Sequence, residues 1–65
     1  MKFKVLIQIG EDVTTKEIEA DIKHEARDLA LADIDRSKGG WYEVLLENGD
    51  TVLCGYIRFV RLSFV

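Results

Sequence analysis

The dipeptide Asn48-Gly49 constrains this chain more than any other two residues. It separates two runs, 41–47 and 50–60, that are rich in apolar and β-branched side chains. Asparagine followed by glycine suits a two-residue type I′ hairpin, in which both central residues need φ > 0. Such a turn fixes register. Leu46 then opposes Thr51, Leu45 opposes Val52, Val44 opposes Leu53 and Tyr42 opposes Gly55. One face of the hairpin (Tyr42, Val44, Leu46, Thr51, Leu53, Ile57, Phe59) has no charge. The other carries Trp41, Leu45, Val52, Cys54 and Tyr56 among Glu43, Glu47, Asp50 and Arg58.

Residues 2–9 alternate as well. Phe3, Val5, Ile7 and Ile9 face one way, and Lys2, Lys4, Leu6 and Gln8 the other, which predicts a strand with one apolar face. Gly10-Glu11-Asp12 reads as a turn. Thr14 with Glu17 three residues later forms a capping-box pattern, and Val13 and Ile18 are spaced as a hydrophobic staple. These signals predict a helix from Thr14 to about residues 34–36. Its core stripe is Ile18, Ile22, Ala26, Leu29 and Ala32. Gly39 is placed as a left-handed residue beyond its end. Asp33 and Asp35 stand where the helix dipole disfavours negative charge.

The expected fold is therefore α+β, in the order β-α-β-β. A right-handed crossover makes the first two strands parallel, and the long third strand fits between them. The result is a three-stranded mixed sheet of order 2-3-1, half of a ferredoxin-like sheet, with one helix packed on one face. Residues 1–65 are expected to form a single domain. The alternation breaks after Phe59, which calls for a bend near residues 59–61 or a separate segment Arg61-Leu62-Ser63-Phe64-Val65.

Charge is uneven. Residues 15–36 hold seven acids and four bases, which accounts for the whole net charge of −3. An acidic balance argues against general nucleic-acid binding, which runs on phosphate neutralisation. No apolar run approaches a membrane span, and the alternating N-terminal strand does not read as a signal peptide, so a cytoplasmic location is expected. One cysteine forms no internal disulfide and has no zinc-ligand companion at the usual spacing.

The residues offer no catalytic, cofactor-binding or metal-ligating constellation, and no enzyme is expected. His24 reads as a solvated helix residue away from Cys54, whereas a Cys-His pair needs adjacency. Asp33-Ile34-Asp35 and Glu11-Asp12 lack the spaced oxygen ligands of a calcium loop. Gly39-Gly40 follows a helix and precedes a strand, the reverse of a dinucleotide-binding turn.

The β-α-β-β order and length resemble the small tautomerases. Their chemistry implies an exposed N-terminal proline, whereas residue 2 is Lys and the chain has no proline. The stretch Leu46-Glu47-Asn48-Gly49-Asp50-Thr51 and on to Tyr56 is similar to a strand pair of Sm-like barrels, but what precedes it does not follow that pattern. Neither family's function is carried over.

Two surfaces remain. The outer sheet face, with Leu6, Trp41, Leu45, Val52, Tyr56 and Arg58, is more apolar than a solvated antiparallel face should be. A second helix stripe, Ala20, His24, Arg27, Leu31 and Ile34, has heptad-like spacing. Together they predict a small protein-protein interaction module, an inhibitor or a regulator of the accessory or phage type, or a self-associating subunit. Its partner is another protein or a second copy. The alternative is a single-stranded nucleic-acid-binding sheet, in which Trp41 and Tyr56 stack bases and Lys2, Lys4 and Arg58 gather beside them.

Overall fold

A computed structural model of the chain describes residues 1–34 and 39–57. Its elements are β1 (Lys2–Ile9), β2 (Asp12–Glu19), α1 (Lys23–Leu31), β3 (Gly40–Leu46) and β4 (Thr51–Ile57). The four strands form one antiparallel sheet in the order β2-β1-β3-β4, and α1 packs across all four. The α+β class with a helix on one face holds. The three-stranded mixed sheet, its 2-3-1 order and its parallel pair do not.

The difference lies in residues 12–19. They form a strand where the capping pattern predicted a helix start. Val13, Thr14 and Thr15 are a β-branched run, stiff at χ1 and favoured on a pleated surface. Gly10-Glu11 is a two-residue link, with Ile9 paired to Asp12 and Gly10 at φ +61, the arrangement of a type II′ hairpin turn. The returning strand satisfies the backbone edge of β1 that would otherwise lie open. Thr14 opposes Ile7 on the inner face and Glu17 opposes Lys4 on the outer face. The two halves of the supposed capping box thus point to opposite sides of the sheet. With β2 on one edge of β1, β3 takes the other, and no parallel crossover is needed.

The Asn48-Gly49 turn forms with different geometry. Among the described residues only glycines have positive φ, and Gly49 sits at +94, so Asn48 is not in the type I′ conformation. The Gly49 amide donates to the Leu46 carbonyl and the Leu46 amide to the Asp50 carbonyl, both at 2.9 Å. This is a three-residue loop closed by a left-handed glycine. The Asn48 side chain accepts from the Asp50 amide at 3.0 Å, which holds the loop locally. The register at the tip is consequently one residue from the expected one, with Leu45 opposite Thr51. An irregularity between Val44 and Leu45 absorbs the slip at Val52. Beyond it the expected pairs Val44–Leu53, Tyr42–Gly55 and Trp41–Tyr56 all form.

The core lies between α1 and the inner sheet face. Val5, Ile7 and Val44 are its largest fully enclosed side chains. The helix meets them through Ala26 and Ala30, both with no exposed surface. Alanines one turn apart let the helix backbone approach the sheet closely, and Leu31 enters the core from the flank at 6% exposure. Of the expected stripe, Ala26 stays in the core and Ile18 packs against it from β2, while Ile22 and Leu29 turn away, 58% and 50% exposed. The expected helix end near 34–36 and the bend near 59–61 fall partly or wholly outside the described residues.

The helix has no side-chain N-cap at Ile22 and no basic residue in its last turn. A strand supplies the missing cation. Lys16 of β2, on the inner face, donates to the Ala30 carbonyl at 3.0 Å and reaches Asp33. That contact is why an acid is tolerated at the negative end of the helix dipole.

A candidate interaction surface

The antiparallel register lays the outer face out as three rows across β2, β1, β3 and β4. They read Glu17–Lys4–Leu45–Thr51, Thr15–Leu6–Glu43–Cys54 and Val13–Gln8–Trp41–Tyr56. No described element lies over them, because the helix is committed to the other side. Leu6, Trp41, Glu43 and Leu45 are half-buried among their neighbours, and Cys54 is exposed. Tyr56 is 79% exposed. The Trp41 and Tyr56 rings meet edge to face, with centroids 5.4 Å apart and planes at 72°. Near the centre of the face, Glu43 accepts a hydrogen bond from the Thr51 hydroxyl.

Leu6, Trp41, Leu45 and Tyr56 thus share the face on which alternation placed them. Val52 does not. The slip at the hairpin tip turns it inward, where it packs against the core beside Leu46 and Leu53. Arg58 lies outside the described residues.

The second helix stripe is not a surface. Leu31 is in the core, and Ala20 is buried at the end of β2. Arg27 lies 2.9 Å from Asp28, with its guanidinium carbon 6.0 Å from the centre of the Tyr42 ring. Only His24 is exposed, and it stands on the helix side of the sheet while Cys54 stands on the other. These placements follow from the rotation of α1 and from its late start.

Lys2 and Lys4 do not gather around the aromatic pair. They oppose Glu19 and Glu17 on β2. Lys4 lies two rows from Trp41, about 13 Å along the strands. The expected cluster assumed β1 parallel to β3, and the antiparallel pairing puts the lysines at the opposite end.

A second apolar feature is a shallow cleft of about 260 Å³ at the start of the helix. Met1, Phe3, Ile22, Leu46 and Val52 line it, with Asp21 and Lys23 at its rim. Among the described residues no three His, Cys, Asp or Glu side chains are grouped to hold a metal ion. No helix among them is long and apolar enough to cross a membrane.

Neither a scan of protein-family models nor searches of curated proteins and of solved structures found a match to this chain.

Proposed function

We propose that this chain is a small non-enzymatic interaction module that docks another polypeptide on its outer sheet face. One observation carries the reading. A single helix covers the inner face of a four-stranded sheet, while the outer face presents Leu6, Trp41, Leu45 and Tyr56 with nothing described over them. Antiparallel sheets with one wet face normally alternate apolar inside and polar outside. Fully burying one leucine stabilises by roughly 1.5–3 kcal/mol relative to exposure. Leu6, Trp41 and Leu45 are only half-buried and Tyr56 is 79% exposed, so part of that stabilisation is forgone in the single copy. A docked polypeptide recovers it. The Trp41–Tyr56 pair suits that role, since such aromatics supply large contact area at low entropic cost.

The test uses Trp41, the only tryptophan in the chain, as its own reporter. A displayed library of random peptides is selected on the folded protein, and the chosen peptides are titrated while Trp41 emission is followed. The reading expects a blue shift on binding and loss of binding in Leu45→Lys, with circular dichroism unchanged. Peptides that bind equally well to Leu45→Lys and leave Trp41 emission where it was place the docking surface elsewhere, and the reading fails.

A further inference from the structure

We infer that the polypeptide covering the outer face is a second copy of this chain, related by a two-fold axis that sets each Lys4 against the partner's Glu43. The inference rests on the docking reading above and adds the identity of the occupant.

The argument starts from four adjacent positions at the middle of the face. On β1 they are Lys4 and Leu6, and on β3 Leu45 and Glu43. Lys4 opposes Leu45, and Leu6 opposes Glu43. The leucines therefore occupy one diagonal of a square and the opposite charges occupy the other. Within one copy, diagonal neighbours stand about 7–8 Å apart, a separation two long side chains can span, yet Lys4 and Glu43 form no ion pair there. Among the described residues the ion pairs are Met1–Glu19, Lys16–Asp33 and Arg27–Asp28. Lys4 takes part in none of them, and Glu43 is occupied by a hydroxyl.

Now let two such faces meet. A two-fold axis lying between them, perpendicular to the Lys4–Glu43 diagonal, exchanges Lys4 with Glu43. The same operation returns Leu6 and Leu45 close to their own copies. Two leucine pairs are buried at the centre, and two Lys–Glu pairs flank them. The strands of the two copies then cross steeply, near the orthogonal class of sheet packing. This is the self-complementarity an isologous interface requires. A different partner would ask for a patch complementary to itself, with no reason for leucines and opposite charges to alternate on the diagonals.

The area is modest. Four strands about 4.8 Å apart make a face about 19 Å wide. Steeply crossed copies overlap over about 19 by 20 Å, so together they cover about 750 Å² in projection, at the small end of protein interfaces.

The test is charge reversal with mixing, read by sedimentation velocity and by light scattering behind size exclusion. Wild type should be dimeric at micromolar concentration. Lys4→Glu and Glu43→Lys should each run as monomers, with dissociation constants raised at least tenfold, because like charges then face each other twice. An equimolar mixture of the two variants should dimerise again, since one pair keeps the native Lys4–Glu43 charges and the other carries them exchanged. That recovery cannot come from misfolded chains. If Lys4→Glu unfolds beside Glu17, the double variant Lys4→Glu with Glu17→Lys replaces it in the mixture. A wild type that stays monomeric at millimolar concentration overturns the second-copy inference and leaves the docking reading to its peptide test. A dimer broken by Leu45→Lys but indifferent to both reversals keeps the face and overturns the two-fold. A dimer indifferent to all three variants uses another surface and overturns both.

Discussion

The Lys16 ammonium of β2 lies 2.5 Å from the Asp33 carboxylate and 3.0 Å from the Ala30 carbonyl oxygen, so a strand side chain closes the C-terminal end of the helix. The contact ties the edge strand to α1 across the core. It also joins two segments that the capping pattern predicts to be one continuous helix.

This arrangement makes stability depend on acid. Lys16, first through the hydrogen bond and then through its charge, holds the Asp33 carboxyl below its ordinary value of 3.8. Folding therefore favours the ionised form. The contribution is present above the ordinary carboxylate range and is lost as pH falls through it. Urea midpoints measured from about pH 7 down to about pH 2 should fall less steeply for Asp33→Asn than for wild type. Identical acid limbs would mean that the pair is fully screened by water. At neutral pH, Lys16→Met should lower stability by about 1 kcal/mol through loss of the cation at the helix end.

The orientation of the helix gives an opposed pair of expectations. Leu31→Ala empties part of the core and should cost about 2–5 kcal/mol. Leu29→Ala, on a half-exposed position, should stay within about 1 kcal/mol. Denaturation midpoints decide between this order and the reverse, which the sequence periodicity alone implied.

At the hairpin tip, Gly49 is held at φ +94, a conformation that resists a β-branched side chain. Gly49→Val should destabilise by about 1–3 kcal/mol. Thr14→Ala, at an exposed position of an edge strand, should change stability by less than about 0.5 kcal/mol. A loss near 1 kcal/mol at Thr14 would instead indicate the helix cap that the T-x-x-E spacing suggested.

What could be read from the sequence, and what could not, follows from how local each signal is. The alternation of Phe3, Val5 and Ile7 names the inner face of β1, because strand period is a property of the strand itself. The Tyr42–Gly55 and Trp41–Tyr56 pairs were legible because a hairpin ties them to a nearby turn. Val52 lies on the other face from the one the type I′ register predicts, because one residue of difference in the loop moves a side chain across the sheet. The extent of the helix is not legible because Thr14 and Glu17 satisfy a cap spacing and a strand alternation equally well. Only the need of β1 for a second neighbour separates the two, and that need is tertiary. The β-branched run Val13-Thr14-Thr15 was the available clue. The outer face survives both errors. Leu6, Trp41, Leu45 and Tyr56 sit on strands whose alternation was correctly phased, and the added strand extends the face without covering it.

The most direct measurement is Trp41 emission across a dilution series of the wild-type protein, with Leu45→Lys run beside it. Trp41 stands on the open face one row from the Leu6–Glu43 pair, so whatever covers that face dries it. The emission maximum should move to the blue as wild-type concentration rises, and should stay at the water-exposed wavelength throughout for Leu45→Lys. Superimposable, concentration-independent spectra for the two proteins would mean that no second copy covers the face.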